Sequence, residues 1–429
     1  MNSRAQTILD YSIVSMIAGM ILSTVSSQKI PSLLFYILIA ASCLNWYVHY
    51  RKGTSTEGIE LKQHKTLFIL CSVSLVAVLL SKAVHLNMSG TEIEKAVRFS
   101  IGLPLLYAGL RFIPYNRMKY VFWGVYLGIL FMFCYVVYLT DSEFNRPNTD
   151  AIHNAVSYAV IGLLLTGLAL FSFGIRLTNK KIFEFICKTV TVSLGIITFV
   201  LLQTRTGILA IPILVFLMTI VFFYRESILK RLIVLLIVLG VSLGGLLSIP
   251  TMQKRVELAI NEYNTCVASD LTLNTSICVR MQLSRAAWRI WLDQPWFGTG
   301  DNSAFQSIMK NELLPLKAVS QYTVNIFGEP HNDYLQNLSS FGVFGLIGLI
   351  LWYFAPGLFF LKAAMLSKTL SQRCVAAMGA SICLSFSLFS LTELMFRNMR
   401  TISFYVVVVA VIMAMLCVLR QENIISKDT

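Results

Sequence analysis

Pro330-His331-Asn332-Asp333-Tyr334-Leu335-Gln336-Asn337-Leu338-Ser339-Ser340-Phe341-Gly342-Val343-Phe344-Gly345 is the stretch in which a long polar segment ends and an apolar run of membrane length begins. Pro330 suits the first position of a helix, because its missing N–H costs nothing there. The pattern therefore predicts a helix that begins at Pro330 and carries His331 in its first turn. Helical spacing would place on one face His331, Leu335, Leu338, Gly342 and Gly345.

Two interpretations of His331 follow from this helix. The partial positive charge of a helix N-terminus favours a neutral imidazole, which can accept a proton, so His331 is a candidate base. The alternative is an interfacial histidine that only caps a transmembrane helix. On the same face, Gly342 and Gly345 are predicted to have a structural role, because glycines let another helix approach closely inside a membrane.

The composition of the chain is that of a membrane protein. Of its 429 residues, 56% are hydrophobic and 13% are charged, and the mean hydropathy is +0.71. One soluble core cannot bury so much apolar surface, so we predict an all-α polytopic membrane protein. The formal net charge is +14, but the basic residues lie between apolar segments and form no patch. Orientation in the membrane explains them, and no nucleic-acid partner is predicted.

Apolar windows of about 20 residues predict about twelve transmembrane helices, near 10–27, 31–50, 66–84, 98–114, 119–139, 153–174, 183–203, 207–224, 231–249, 340–362, 374–394 and 401–419. The chain then divides into residues 1–249 with nine spans, a loop with surface helices over 250–339, and 340–429 with three spans. We expect no cleavable signal peptide, since the first apolar run leads directly into the second.

The distribution of basic residues predicts the orientation. Lysine and arginine concentrate in the connections after even-numbered spans, and the positive-inside rule puts these connections and both termini in the cytoplasm. The remaining connections, including the long loop, would then face the periplasm. Three candidate sites share that side: the turn at 203–207, the long loop, and the turn near 393–400.

Two arginines on that side are candidate phosphate ligands. Gln203-Thr204-Arg205-Thr206-Gly207 forms the whole connection between two apolar runs and puts one guanidinium at the membrane boundary. The planar guanidinium of Arg205 could bind a phosphate group bidentately, or it could reach the lipid headgroups. Arg280 in the long loop offers a second cation, and the alternative there is an ordinary loop arginine.

Other side chains on this side have open interpretations. Glu393 lies close to Arg397 and Arg400, where a structural ion pair and a catalytic role both fit. Cys266 and Cys278 flank a short polar segment, so a disulfide is predicted in an oxidising periplasm. We find no P-loop or HExxH motif and no outward aspartate pair suited to a divalent metal, so neither a cofactor nor a metal site is predicted.

The motifs resemble those of one family. His331-Asn332, nine residues and then Gly342-Val343-Phe344-Gly345 resembles the HN-x9-GxxG pattern of bacterial O-antigen ligases. Gln203-Thr204-Arg205, followed by the apolar run 208–217, is similar to the family's arginine turn. Arg280 with Pro295 is similar to its second arginine and downstream proline.

The resemblance implies an activity and a location. It implies a metal-independent, inverting glycosyltransferase of the inner membrane with its active site at the periplasmic face. This enzyme would transfer O-polysaccharide from undecaprenyl diphosphate to a sugar hydroxyl of lipid A–core, which completes lipopolysaccharide. Its partners would be undecaprenyl-diphosphate-linked O-antigen, lipid A–core and membrane lipids.

The resemblance also implies residue roles. Arg205 and Arg280 would bind the diphosphate, and His331 would lie near the acceptor hydroxyl. A glycosyl diphosphate already has a good leaving group, so the enzyme needs positive charge there and a base near the attacking hydroxyl. As further substrate-binding residues we predict Asn332, Arg285, Arg289, Glu393 and Arg400.

Two alternative functions remain. An O-antigen polymerase or a protein oligosaccharyltransferase of the same superfamily would use the same donor with a different acceptor. A flippase or transporter for lipid-linked glycans belongs to another class and predicts charges along a path through the spans. The charges singled out here gather on one side instead.

Overall fold

Eighteen α-helices build the part of the chain that the computed structural model describes, residues 3–52, 57–86, 90–141, 145–268 and 273–428, and these residues contain no β-strand. The helices are α1 (Ser3–Ser26), α2 (Ile30–Arg51), α3 (Glu57–Val84), α4 (Gly90–Ser100), α5 (Gly102–Leu110), α6 (Tyr115–Met118), α7 (Phe122–Leu139), α8 (Ala155–Phe171), α9 (Lys181–Leu201), α10 (Ile211–Phe222), α11 (Ile228–Leu247), α12 (Pro250–Ala268), α13 (Ser276–Asp293), α14 (Ala304–Ile308), α15 (Gln321–Ile326), α16 (Asp333–Leu366), α17 (Leu370–Phe389) and α18 (Met399–Asp428).

The prediction of an all-α polytopic protein is confirmed. Within the described residues, ten helices are long and apolar enough to cross a membrane, and they coincide with ten of the twelve predicted spans. The other two spans fall on shorter elements. Residues 98–114 fall on α4 and α5, which are interrupted at Ile101, and 207–224 fall on the 3-10 turn Thr206–Ala210 and α10.

The last helix forms the centre of the bundle. All residues of α18 from 401 to 419 are buried, and a helix that is apolar on every face needs such an interior position. Its Tyr405 hydroxyl donates to the Trp352 carbonyl of α16 at 2.8 Å, and its ring packs on Phe386 of α17 with centroids 4.8 Å apart. By contrast, α11 lies at the periphery with Leu246 as its one buried residue.

The long segment before α16 is folded and has a small core of its own. Leu283, Ala287 and Ile290 of α13 pack there with Phe305 and Met309. The predicted loop extended to residue 339, but α16 begins at Asp333, so its first turns belong to the polar segment. The polar run is therefore a scaffold for side chains at this end of the bundle.

Residues 295–300 dock this segment onto α16. The N–H groups of Thr299 and Gly300 donate to the carbonyls of Ser339 (3.0 Å) and Ser340 (2.8 Å), and Val343 N–H donates to the Pro295 carbonyl (2.9 Å). These bonds take the place of helix hydrogen bonds at a kink in α16.

Gly342 forms that kink. Its φ of +66° and ψ of −160° are not helical, and a Cβ there would lie 2.2 Å from the carbonyl carbon of Trp296. The prediction that Gly342 and Gly345 receive another helix is therefore wrong. A Cβ on Gly345 would first meet Phe341 of its own helix, whereas the close helix contact lies at Gly348, against Ser74 of α3.

Candidate active site

The carboxylate of Asp333 anchors the start of α16 to the segment between α17 and α18. It accepts hydrogen bonds of 2.8 Å from the Ser390 hydroxyl and from Met395 N–H. The neighbouring Asn332 amide donates to the Leu391 carbonyl at 3.0 Å. Asp333 is buried, and these donors replace the water that burial removes. The anchor holds residues 390–398 beside the chain that enters α16.

His331 lies outside α16, two residues before its start. Asn332 is the N-cap, because its side-chain oxygen accepts from Leu335 N–H at 3.0 Å. His331 has a φ of +49°, a left-handed conformation that a right-handed helix does not contain. The prediction that the helix begins at Pro330 with His331 in its first turn is therefore wrong. The oxygen and the nitrogen of the Asn332 side-chain amide are both hydrogen-bonded to backbone groups. Substrate binding by Asn332 stays a prediction.

Four side chains, which we call the histidine cluster, meet at this point: His331, Glu393, Arg397 and Glu329. Nδ1 of His331 lies 3.4 Å from Oε1 of Glu393 and 3.3 Å from Nη2 of Arg397. The same Nη2 lies 3.3 Å from Oε1 of Glu393 and also contacts the Glu329 carboxylate. Arg397 thus bridges two carboxylates, and one of them faces the histidine.

Nδ1 of His331 faces both an acceptor and a donor. An ionised carboxylate can only accept and the Arg397 guanidinium can only donate, so Nδ1 donates to Glu393 in one tautomer and accepts from Arg397 in the other. We assign the Nδ1–H tautomer, in which His331 donates to Glu393 and Arg397 donates to both carboxylates. This tautomer leaves Nε2 of His331 as the basic nitrogen.

The pKa values of the two carboxylates of the histidine cluster are shifted in opposite directions. Both residues lie outside the candidate spans. Burial raises the pKa of Glu393, but the hydrogen bond from His331 and the positive charges of His331 and Arg397 lower the pKa below its ordinary value. Burial raises the pKa of Glu329 above its ordinary value, and Arg397 and His331 offset only part of that rise. Glu393 is therefore the ionised partner of His331 at neutral pH.

A second group, which we call the arginine cluster, consists of Arg146, Arg205, Arg255 and Arg280. Partial burial lowers the pKa of Arg205, Glu262 raises it, and the charges of Arg255 and Arg280 lower it again. Nη1 of Arg205 lies 3.9 Å from Oε2 of Glu262, and Arg146 lies within electrostatic range of the other three arginines. Four guanidinium groups with so few carboxylates leave an excess of positive charge, which suits a diphosphate.

A disulfide joins the two helices that carry Arg255 and Arg280 of this cluster. Cys266 of α12 and Cys278 of α13 are bonded, with their Cα atoms 5.5 Å apart. Arg255 and Glu262 lie on α12, and Arg280 follows Cys278 by two residues on α13. The bond therefore fixes Arg280 relative to α12.

A hydrogen bond joins the chain segments next to Arg205 and Glu393. The Thr392 hydroxyl donates to the Thr206 hydroxyl at 3.2 Å. Thr206 directly follows Arg205, and Thr392 directly precedes Glu393. The turn after α9 and the segment after α17 are thus adjacent, and the two clusters occupy the same end of the bundle.

Three further predicted ligands are arginines outside the two clusters. Arg285 shares a shallow groove along α13 with Arg280. Arg289 is exposed, with its Nε 3.9 Å from Asp293 Oδ2. Arg400 is buried, and its Nη1 has no hydrogen-bond partner among the described residues. Substrate binding by Arg285, Arg289 and Arg400 stays a prediction.

A cavity of about 240 Å³ adjoins the histidine cluster, and Glu329 and Arg397 form part of its wall. The sequence analysis did not single out Glu92 and Lys95 of α4, which also line it. The sequence does contain a pattern that could have indicated these residues, because charged residues at 92, 94, 95 and 98 precede an apolar run of span length. Charges next to a span are costly unless they are paired or functional.

Comparisons with known proteins relate the chain to one family. A family model described as O-antigen ligase matches residues 190–350, which include Arg205, Arg280 and His331 but not Glu393. A protein of Haemophilus influenzae, described as uncharacterized, is 24% identical over 350 residues, which cover 80% of this chain and 83% of that protein. The match to the relative extends over most of the bundle.

Proposed function

Because the chain belongs to the O-antigen ligase superfamily through residues 190–350, we propose that it transfers O-polysaccharide from undecaprenyl diphosphate to a sugar hydroxyl of lipid A–core. The product of this transfer would be complete lipopolysaccharide. The observation that carries the proposal is the Thr392–Thr206 contact, which joins the chain segments next to Arg205 and Glu393, and the contact of His331 with Glu393 supports it. Glycosyl transfer from a diphosphate needs a base and positive charge in one place.

The reaction is a single displacement at the anomeric carbon of the donor. The acceptor hydroxyl oxygen forms the new glycosidic bond, and its proton passes to Nε2 of His331. The bond from the anomeric carbon to the diphosphate oxygen breaks, and the electron pair leaves with the diphosphate. Attack opposite the leaving group inverts the anomeric configuration. Ionised Glu393 stabilises the imidazolium that forms on His331.

The arginine cluster acts on the leaving group. As the bond breaks, negative charge grows on the diphosphate, and Arg205 and Arg280 can each offer two parallel N–H donors to it. These cations are in place before the reaction begins, so little reorganisation is needed when the charge appears. We propose that they make a divalent metal unnecessary.

We further propose that this end of the bundle faces the periplasm of a bacterium, with the protein in the inner membrane and both termini in the cytoplasm. The basic connections at the opposite end support this orientation. Both lipid substrates could then reach the site laterally from the bilayer, which restricts their approach to the reacting geometry.

A transfer assay with purified protein tests the proposal. Undecaprenyl-diphosphate-linked O-polysaccharide and lipid A–core should give a ladder of glycosylated lipid A–core on a gel, and the His331→Ala protein should not. Longer glycans on the carrier without transfer to lipid A–core would show a polymerase instead. Movement of the lipid-linked glycan across vesicles without any new glycosidic bond would show a flippase.

A further inference from the structure

The cavity beside the histidine cluster has the dimensions of a small ligand. Its volume of about 240 Å³ lies below the roughly 300–1,000 Å³ of pockets that bind drug-sized molecules. Residues of α3, α4 and α16 and the segments before α16 and α18 line it, so it lies between elements distant in sequence. A single sugar ring fits this space, whereas a segment of several sugars does not.

The charged groups of the cavity wall have no excess of positive charge. The cationic groups that line it are Lys95 and Arg397, and the anionic groups are Glu92, Glu329 and Asp333. Such a wall favours a neutral polyhydroxylated ring over a phosphate, whereas the arginine cluster has the excess positive charge that a phosphate requires.

The wall also carries polar side chains without charge. Asn302, Gln336 and Asn337 line the cavity. Gln336 is held in place, because its Nε2 donates to Asn302 Oδ1 and to Ser340 Oγ at 2.8 Å each. Side-chain amides both donate and accept hydrogen bonds, as sugar hydroxyls do, so this wall suits a polyhydroxylated ring.

Aromatic rings provide the apolar part of the wall. Phe341, Trp352 and Phe396 line the cavity, and the indole N–H of Trp352 already donates to the Cys71 carbonyl at 2.9 Å. The Trp352 ring therefore offers only apolar surface. A pyranose ring has an apolar face formed by its C–H groups, which packs on such surfaces.

We infer that this cavity binds one neutral pyranose ring, that of the acceptor sugar whose hydroxyl attacks the donor. The assignment to the acceptor rests on the proposed function, in which His331 deprotonates that hydroxyl. Glu329 and Arg397 belong both to the cavity wall and to the histidine cluster, so a ring held there lies next to the base. The diphosphate of the donor would bind to the arginine cluster and would therefore lie outside the cavity.

Protection of an introduced thiol tests this inference without any transfer. Asn337 lines the cavity and is partly exposed, so Asn337→Cys provides a reactive group there, and Leu316→Cys provides a matched thiol at an exposed position elsewhere. The labelling rate with N-ethylmaleimide is measured on the separated peptide by mass spectrometry. Delipidated core oligosaccharide at about ten times its Kd should slow labelling of the Asn337→Cys protein by about tenfold.

Further labelling experiments test whether the bound ring belongs to the acceptor or to the donor. Labelling at Leu316→Cys should not change, and undecaprenyl diphosphate without a glycan should protect neither thiol. Protection by the lipid-linked glycan alone would assign the cavity to the donor sugar and overturn the inference, as would no protection by either glycan. If Asn337→Cys unfolds the protein, Lys95→Cys repeats the measurement from α4. A protein that binds core oligosaccharide here but transfers nothing would refute the proposed function alone.

Discussion

Thr392 and Thr206 share a hydrogen bond of 3.2 Å although 186 positions separate them in the chain. This contact brings the turn after α9 against the segment between α17 and α18. Arg205 and Glu393 are the immediate neighbours of the two threonines, so the arginine and histidine clusters lie at the same end of the bundle. The predictions below test the two clusters separately.

Replacement of His331 tests its role as the base. General-base assistance contributes about 10²–10⁴-fold to rates, so His331→Ala should lower kcat by roughly that factor while the melting temperature stays close to that of the parent protein. His331→Gln keeps a hydrogen-bonding group that cannot take a proton at neutral pH, and it should be equally slow. His49→Ala, at the opposite end of the bundle, is the control.

The transfer rate is measured at saturating donor and acceptor. Near-normal turnover by His331→Gln with a slow His331→Ala would show that the ring orients the hydroxyl and does not deprotonate it. Normal turnover by both variants would leave His331 with only the structural role of a residue that precedes a helix.

The pH dependence of stability tests the state of Glu393. Its folded-state pKa lies below the ordinary value of 4.5. Ionised Glu393 therefore stabilises the folded protein fully above about pH 4.5, and this contribution is lost as the pH falls through the folded-state pKa. Glu393→Gln should lower the melting temperature at pH 7, and the difference from the parent should shrink below pH 4.5. A difference that grows on acidification would contradict the assignment.

Conservative replacement of two arginines tests diphosphate binding. Lysine keeps the charge of Arg205 or Arg280 but loses the planar pair of donors. Because hydrogen bonds to charged groups contribute about 1.5–3 kcal/mol, each Arg→Lys change should raise the KM for the lipid-linked donor by roughly 10- to 100-fold. The KM for lipid A–core should stay unchanged, and Arg225→Lys, at the other end of the bundle, serves as the control.

The same transfer assay tests whether the reaction needs a divalent metal. Transfer should continue in the presence of a chelator, because the guanidinium groups supply the positive charge. Loss of activity with chelator and its recovery with magnesium would show that the arginines do not act alone on the diphosphate.

Substitution of Gly342 tests the kink in α16. Alanine at the φ and ψ of Gly342, a region that essentially only glycine populates, costs about 1–3 kcal/mol, and a Cβ 2.2 Å from the Trp296 carbonyl carbon adds direct overlap. Gly342→Ala should therefore lower the melting temperature and weaken the docking of residues 295–300. The control is Gly244→Ala in α11, where no atom lies within 4 Å of the added Cβ. Equal melting temperatures for the two variants would contradict this account.

The sequence by itself determined the architecture, because hydropathy is a local sum over contiguous residues. Ten predicted spans coincide with long apolar helices, and the two exceptions lie where α4 and α5 are interrupted and where a 3-10 turn precedes α10. The candidate residues Arg205 and His331 were also visible in the sequence, since each is polar at the edge of an apolar run, whereas Arg280 lies inside the long polar segment and was singled out by its resemblance to a family motif.

Only the tertiary structure decided how the site is built. Pro330 suggested a helix start, but the Asn332 cap and the bonds from Ser390 and Met395 to Asp333 set the start two residues beyond His331. The kink at Gly342 exists because residues 295–300 bond to its flanks. The meeting of Lys95, Glu329 and Arg397 around one cavity depends on the packing of three separate segments. Such contacts join residues far apart in the chain, and no local pattern records which partners will meet.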